Sequence, residues 1–212
     1  MNTIIRVLLV DDHAVVRAGF RLLLASVDSI EVVAEAARCE KACKLYEDKR
    51  PDVVVMDLSM PGIGGLEGIR RITARDPEAK ILVFSIHDEK VYVDRALAAG
   101  AKGYITKNSA PENLITAVQA IAGGKTYVEA GLKTSGALQA EQEDYQSLLA
   151  TLTPKEFDVF RLLAKGLTTH EAANELCLGV KTVANYSTQV KAKLKANTAA
   201  ELARIAIDLN LI

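Results

Sequence analysis

The sequence predicts an α/β domain with a doubly wound, five-stranded parallel sheet, followed by a small all-α domain with a helix-turn-helix. Three observations support this fold class. Five short apolar runs alternate with helical periodicity over roughly the first 120 residues, which is typical of a parallel sheet covered on both faces. From Leu152 onward the periodicity is helical throughout. Residues 1–150 carry 18 Lys and Arg against 21 Asp and Glu, whereas residues 151–212 carry 8 against 6. An acidic part thus precedes a mildly basic one.

The elements of the first domain follow from these runs and from helix-ending signals. The predicted strands lie at 3–10, 32–34, 52–56, 80–84 and 102–106. The predicted helices lie at 15–24, 38–48, 65–74, 89–99 and 111–122. Pro51 follows the second helix, Gly100 ends the fourth, and Gly123 and Gly124 end the last.

We expect domain boundaries at 1–123, 124–150 and 151–212, with the middle segment a linker. Three glycines and an acidic stretch interrupt the earlier rhythm there, and residues 138–149 show a helical pattern. In the last segment, Thr153-Pro154-Lys155-Glu156 has the residues of a helix start. Thr169 is the predicted cap of a second helix, and two further helices are predicted at about 181–195 and 198–209.

Charged residues interrupt every apolar run well short of the ~18 residues that cross a membrane. The N-terminal residues also lack the pattern of a signal peptide. We therefore expect a cytoplasmic protein with no membrane partner.

Polar residues follow four of the predicted strands. Asp11 and Asp12 come after the first strand, Asp57 after the third, Ser85 after the fourth and Lys107 after the fifth. In a doubly wound sheet, ligands bind outside the carboxyl ends of the strands. The sequence therefore predicts one site at this edge, whereas any single aspartate could equally be a helix cap.

Three carboxylates in one place repel each other unless a cation is present, and Mg²⁺ with its oxygen ligands fits such a site. The set then suits phosphoryl transfer, with Asp57 as the nucleophile that forms an aspartyl-phosphate. Asp11 and Asp12 would hold Mg²⁺ with Asp57, while Lys107 and Ser85 would stabilise charge on the phosphoryl oxygens.

Two further residues are expected at the mouth of this site. Ser59 lies two residues after Asp57, and His87 lies two after Ser85. Both would line the route by which water attacks the acyl phosphate. Our hypothesis is that Ser59 and His87 tune the rate of dephosphorylation.

The sequences Val10-Asp-Asp-His13, Met56-Asp-Leu-Ser-Met-Pro-Gly62 and Gly103-Tyr-Ile-Thr-Lys107 resemble the receiver domain of bacterial response regulators. The resemblance spans residues 4–122 and implies a flavodoxin-like fold. It implies that a sensor histidine kinase is the phosphoryl source and that the chain is no enzyme beyond self-catalysed phosphorylation and dephosphorylation. It also implies that the Ser59 carbonyl completes the Mg²⁺ site and that Ser85 and Tyr104 form a switch pair. Many receivers have Pro where Asn108 stands.

The third helix of the second domain carries four lysines and neither Asp nor Glu. Its polar side chains are the donors used at phosphates and base edges of double-stranded DNA. A solvated lysine face on a helical bundle is the alternative interpretation. The predicted DNA-binding residues are Lys181, Thr182, Asn185, Tyr186, Gln189, Lys191 and Lys193.

Residues 151–209 resemble the LuxR-type output domain of the NarL/FixJ family. The matching sequences are Leu152-Thr-Pro-Lys-Glu156, Leu163-Ala-Lys-Gly166, Glu171-Ala-Ala173, Lys181-Thr-Val183 and Lys193-Leu194. Gly179 and Tyr186 stand where the family usually has Ser and His. The resemblance implies dimers on DNA, with part of the stripe Leu202, Ile205, Ala206 and Leu209 as the contact.

Together these features predict a transcription regulator of a two-component system whose dimeric DNA binding depends on phosphorylation. Two alternatives stay open. The chain could bind DNA constitutively and use its first domain for protein docking, or it could be a phosphorelay adaptor.

Overall fold

A computed structural model describes residues 4–132, 145, 147–209 and 211–212 of the chain. It divides the chain into two compact units, Met1–Lys133 and Thr134–Ile212.

The first unit is built on a six-stranded parallel sheet with strand order β2-β1-β3-β4-β5-β6. The strands are β1 Ile5–Val10, β2 Ile30–Ala36, β3 Val53–Met56, β4 Ile81–Ser85, β5 Gly103–Thr106 and β6 Tyr127–Val128. The helices are α1 Ala14–Ala25, α2 Cys39–Lys49, α3 Gly64–Arg75, α4 Lys90–Ala98 and α5 Pro111–Ala122.

Apolar burial explains why the inner strands read as continuous hydrophobic runs. Every residue of β3 and β4 is buried, as expected for strands covered on both faces. Helix α5 places Leu114, Val118 and Ile121 in a cluster with Val55 and Phe84 of the sheet. The strand ends that carry the polar residues therefore emerge from a packed core.

These observations confirm the predicted fold class and correct one detail of it. The sheet has a sixth strand, because Tyr127 and Val128 pair with Gly103 and Tyr104 of β5. This strand lies inside the segment 124–150 that was predicted to be linker. Two residues are too few to show the alternation that marks a strand in sequence.

The predicted helix at 138–149 falls largely on residues 138–144 and 146, outside the described residues. Residues 147–150 are helical.

The second unit contains helices α6 Pro154–Ala164, α7 Thr169–Glu175, α8 Val180–Lys193 and α9 Ala199–Asp208. Capping boxes start α6, from Thr153 and Glu156, and α7, from Thr168 and Glu171. Thr168, not Thr169, is the cap of α7, because its hydroxyl accepts the Glu171 N–H that lies three residues ahead. All four helices contribute to the buried core, with Phe157, Ala172, Val183 and Leu202 among its members.

Among the residues that the structure describes, no helix is both long enough and apolar enough to span a bilayer.

Candidate functional site

The centre of the predicted site is an ammonium held between two carboxylates. The Lys107 Nζ lies 2.5 Å from Asp11 Oδ2 and 2.9 Å from Asp57 Oδ2. Asp11 follows β1, Asp57 follows β3 and Lys107 follows β5. Because parallel strands end at the same edge, residues up to 96 positions apart meet here.

The acidic residues form a group that could hold a metal ion. Asp11, Asp12, His13 and Asp57 each offer one ligand atom, and these atoms lie within 4.8 Å of one another. One oxygen of Asp12 is buried and accepts no hydrogen bond from any residue described, although His13 Nδ1 lies 2.9 Å away. The carboxylate set fits a hard divalent cation such as Mg²⁺.

Burial dominates the electrostatics of this group. Desolvation raises the pKa of Asp57 above its ordinary value, and the Lys107 ammonium offsets that effect in part. Burial alone would lower the pKa of Lys107, but its bonds to Asp11 and Asp57 raise it, so the ammonium stays charged. A second cation would further favour the ionised form of Asp57 that a nucleophile requires.

The β4 side of the site joins the other predicted residues. Ser85 is fully buried, and its Oγ accepts a 3.3 Å hydrogen bond from the His87 N–H. The Tyr104 hydroxyl donates to the His87 carbonyl at 2.7 Å. Burial raises the pKa of Tyr104, which keeps this hydroxyl a neutral donor. The predicted switch pair thus meets at one backbone segment.

The imidazole of His87 lies between Ser59, at the mouth of the predicted site, and the first turn of α4. Its Nε2 is 3.0 Å from Ser59 Oγ, and its ring stacks on Tyr92 at 4.0 Å with the planes 4° apart. Ser59 in turn donates its N–H to Asp57 Oδ1 at 3.2 Å. The structure therefore brings the two residues predicted at the mouth into direct contact.

Several contacts at the site were not predicted from the sequence. The Arg17 guanidinium donates to the Asp11 carbonyl at 2.6 Å. The Glu129 carboxylate accepts hydrogen bonds from Thr106 and Ser109, on either side of Lys107. No sequence motif links these residues. The Lys107–Asn108 peptide bond is trans.

The second unit presents a polar helix face. On α8 the buried positions are Val183 and Val190, which are seven residues apart and so lie on one side. The exposed predicted residues are Lys181, Thr182, Asn185 and Gln189, while Tyr186 and Lys191 are partly buried. The helix follows α7 after a short turn, as in a helix-turn-helix.

The structure gives Lys193 partners inside the second unit. Its Nζ donates to Glu156 Oε2 at 2.6 Å and to the Thr151 carbonyl at 3.2 Å. Glu156 is only 3% exposed, so a buried carboxylate needs this ammonium as its counter-charge. Lys193 therefore stabilises the domain, and its role as a DNA contact stays a prediction.

Two other features of this unit concern Gly179 and the apolar stripe of α9. Gly179 is the cap of α8, and no side-chain hydrogen bond supports that helix start. Of the α9 stripe, Leu202, Ile205 and Ala206 are buried in the core. Ile207 is 59% exposed.

Comparison with known families matches both units. Residues 7–119 match the family described as "Response regulator receiver domain". Residues 150–206 match "Bacterial regulatory proteins, luxR family".

Individual proteins give the same result. The response regulator UvrY of Escherichia coli K12 is 38% identical over 204 residues, which cover 96% of this chain and 94% of that protein. A LuxR-family two-component response regulator from Aurantimonas sp. SI85-9A1 is 42% identical, covers 61% of this chain and 93% of its own, and has a TM-score of 0.60. A structure of two RcsB dimers bound to two parallel DNAs is 25% identical, covers 98% of this chain and 100% of its own, and has a TM-score of 0.59.

The fold and the matches define a DNA-binding transcription regulator whose receiver carries an acidic pocket. The chain belongs to the two-component response regulators of the NarL/FixJ family, with a LuxR-type output domain.

Proposed function

We propose that Asp57 is the phosphoacceptor and that its phosphorylation by a sensor histidine kinase promotes dimeric binding to double-stranded DNA. One observation carries the proposal: the Lys107 ammonium bonds Asp57 and Asp11, which belong to one cluster of carboxylates. This arrangement supplies a nucleophile and a counter-charge for phosphoryl oxygens at one point.

The residues of the pocket divide the work of phosphoryl transfer. Asp57 attacks the phosphorus and the leaving group departs in line, so the reaction needs positioning more than covalent help. Asp11, Asp12, Asp57 and the Ser59 carbonyl would hold Mg²⁺. When bound, Mg²⁺ would neutralise charge that develops on the phosphoryl oxygens. The self-catalysed reaction with a small phosphodonor follows from the same groups.

A phosphoryl group on Asp57 would give Lys107 and Ser85 a new anionic partner. We propose that Ser85 turns towards it and releases the N–H of His87, which loosens the segment bonded to Tyr104. The Ser85–Tyr104 pair then takes a second arrangement, and this is the local event that a switch requires.

We further propose that Ser59 and His87 govern the lifetime of the acyl phosphate. Their side chains touch at 3.0 Å beside Asp57 and thus stand where attacking water must pass. Replacing both residues would change the dephosphorylation rate, and an unchanged rate would refute this role.

In the output domain we propose that DNA is contacted by Lys181, Thr182, Asn185, Tyr186, Gln189, Lys191 and Lys193. One domain offers few positive charges, so a single copy would bind weakly at physiological salt. The RcsB structure contains dimers on DNA. Two copies of this chain on a two-fold site would gain affinity through avidity.

The decisive experiment treats the full chain with acetyl phosphate and Mg²⁺ and follows intact mass and binding to selected DNA sites. We expect a mass gain of one phosphoryl group in the wild type and none at this position in Asp57→Ala. Asp48→Ala, which alters an exposed aspartate of α2, is the matched control. A gain that persists in Asp57→Ala would refute the assignment.

The DNA arm separates the remaining alternatives. Tighter DNA binding after phosphorylation supports the proposed function. Equal binding before and after would favour a constitutive DNA binder that uses its receiver for docking. Phosphorylation without binding to any selected site would favour a phosphorelay adaptor.

A further inference from the structure

The segment that follows α5 runs back along the edge of β5. Tyr127 and Val128 pair in parallel with Gly103 and Tyr104. One residue further on, the Glu129 N–H donates to the Tyr104 carbonyl at 3.0 Å. The pairing carries the Glu129 side chain to the carboxyl end of β5, where Lys107 begins the next loop.

The Glu129 carboxylate accepts three hydrogen bonds at that point. Its Oε2 accepts from the Thr106 N–H at 2.9 Å and from the Thr106 hydroxyl at 3.1 Å. Its Oε1 accepts from the Ser109 hydroxyl at 2.5 Å. The two hydroxyls of Thr106 and Ser109 are themselves 3.0 Å apart. One carboxylate therefore fixes the residues on both sides of Lys107 and Asn108.

The charge state of Glu129 supports this arrangement. Burial would raise the pKa of Glu129, but the hydrogen bonds from Ser109 and Thr106 outweigh that effect and lower it. The carboxylate is therefore ionised near neutral pH, and charge-assisted hydrogen bonds of this kind are stronger than neutral ones.

We propose that Glu129 is a positioning residue for phosphoryl transfer, which holds the Thr106–Ser109 turn so that Lys107 presents its ammonium to the phosphoryl group. The proposal rests on the proposed function of Asp57. Lys107 bonds Asp57 in this structure, and its ammonium would turn to the phosphoryl oxygens when Asp57 reacts. A loop fixed at both flanks allows that side-chain movement without backbone reorganisation.

The turn that Glu129 holds contains Asn108. Asn108 offers no proline ring to stiffen the turn, so the three hydrogen bonds to Glu129 supply the constraint instead. Because Glu129 follows β6, the last part of the first unit is bonded to the loop that carries Lys107.

The test measures phosphorylation of the full chain by acetyl phosphate with saturating Mg²⁺ over a range of donor concentrations. We expect Glu129→Ala to lower the maximal rate about 10-fold and to leave the half-saturating donor concentration unchanged. Ser109→Ala, which removes one of the three hydrogen bonds to Glu129, should lower the maximal rate about 2-fold. Glu129→Gln keeps one acceptor oxygen and should recover part of the loss.

Glu112→Ala is the matched control, since Glu112 is an exposed acid on α5 of the same unit and its side chain shows no bond to this turn. Amide hydrogen exchange supplies a second readout. The Thr106 amide should exchange faster in Glu129→Ala than in Glu112→Ala, while the amides of β3 keep their protection.

Three results would overturn the inference. The first is a wild-type maximal rate in Glu129→Ala, and the second is an equal loss in Glu112→Ala, which would indicate a general charge effect. The third result applies if Glu129→Ala fails to fold: Glu129→Gln and Ser109→Ala, measured as single variants, both keep the wild-type maximal rate. A wild type that gains no mass would instead overturn the proposed function, and the role of Glu129 with it.

Discussion

The phosphorylation pocket and the polar face of α8 are built in opposite ways. In the pocket, Lys107 bonds Asp11 and Asp57, which lie 96 and 50 residues away in sequence. On α8, the proposed DNA contacts lie at exposed or partly buried positions of one helix of 14 residues. The pocket depends on tertiary structure, whereas the helix face needs little beyond the helix itself.

This difference predicts how substitutions combine. Groups that share bonds lose their function together, so their effects should be strongly non-additive. Side chains that stand apart on one helix face should act independently on DNA affinity. The experiments below probe that contrast, from the largest expected effect to the smallest.

Lys107→Ala should lower the phosphorylation rate about 100-fold to 1,000-fold, because it removes the positive charge opposite the phosphoryl oxygens. It also leaves Asp11 and Asp57 without their shared cation, so Mg²⁺ should raise the melting temperature more in this variant than in the wild type. Rates come from intact mass against time. Lys125→Ala, on the exposed turn after α5, is the control. Full additivity of Lys107→Ala with Asp11→Asn would contradict the shared-bond description.

Glu156→Ala should destabilise the second unit by about 2–4 kcal/mol. It removes one half of a capping box and leaves the Lys193 ammonium without its buried partner. Urea unfolding of the full chain, with amide exchange of α6 and α8 to locate the change, measures the effect. Lys195→Ala is the control. Lys195 is an exposed lysine just after α8, and its replacement should change the free energy of unfolding by less than about 0.5 kcal/mol.

The same carboxylate predicts a pH dependence. Burial raises the pKa of Glu156, but the hydrogen bonds from Lys193 and Thr153 outweigh burial and lower it below its ordinary value. The contribution of Glu156 to stability is therefore complete above its unfolded pKa of about 4.3 and is lost as the pH falls through the folded value. Below about pH 4 the second unit should lose stability more steeply in the wild type than in Glu156→Gln. Parallel curves would contradict this sign.

Asn185→Ala should weaken specific DNA binding about 10-fold if its amide reads a base edge. The loss should be much smaller on non-specific DNA, which separates base recognition from phosphate contact. Fluorescence anisotropy with both kinds of DNA measures the ratio. Asn197→Ala, exposed but beyond α8, serves as the comparison and should keep wild-type specificity.

Lys181→Ala should have the smallest effect, a loss of one phosphate contact. The slope of log affinity against log salt should fall by about 1 in magnitude, equally for all DNA sequences. Its effect should add to that of Asn185→Ala. An unchanged slope would place Lys181 away from the phosphates.

The positions of five strands and the residues at their ends could be predicted, because each of these strands is a separate apolar run in the sequence. Asp11, Asp57 and Lys107 follow apolar runs that can end only at one edge of a parallel sheet. The capping box of Thr153 and Glu156 is likewise a local pattern. For this reason the fold class and the make-up of the pocket were accessible from the sequence.

Contacts between residues that are distant in sequence have no comparable local pattern. Glu156 reads as a capping residue, and nothing near it indicates that Lys193 lies 2.6 Å away. Glu129 follows a strand of only two residues, so neither β6 nor the bonds to Thr106 could be anticipated. The stacking of His87 on Tyr92 depends on how α4 leaves the sheet. Tertiary packing decides all of these.

The short strand β6 also has a consequence for colloidal behaviour. An uncovered parallel strand offers its backbone N–H and C=O groups to other chains and so invites aggregation. The backbone of residues 127–129 pairs with those groups along β5. The new edge strand, β6, has only two residues, so it offers few free backbone groups with which another chain could pair. A receiver fragment cut after Gly123 would expose the edge of β5, whereas one cut after Leu132 would keep it covered and should stay dispersed at higher concentration.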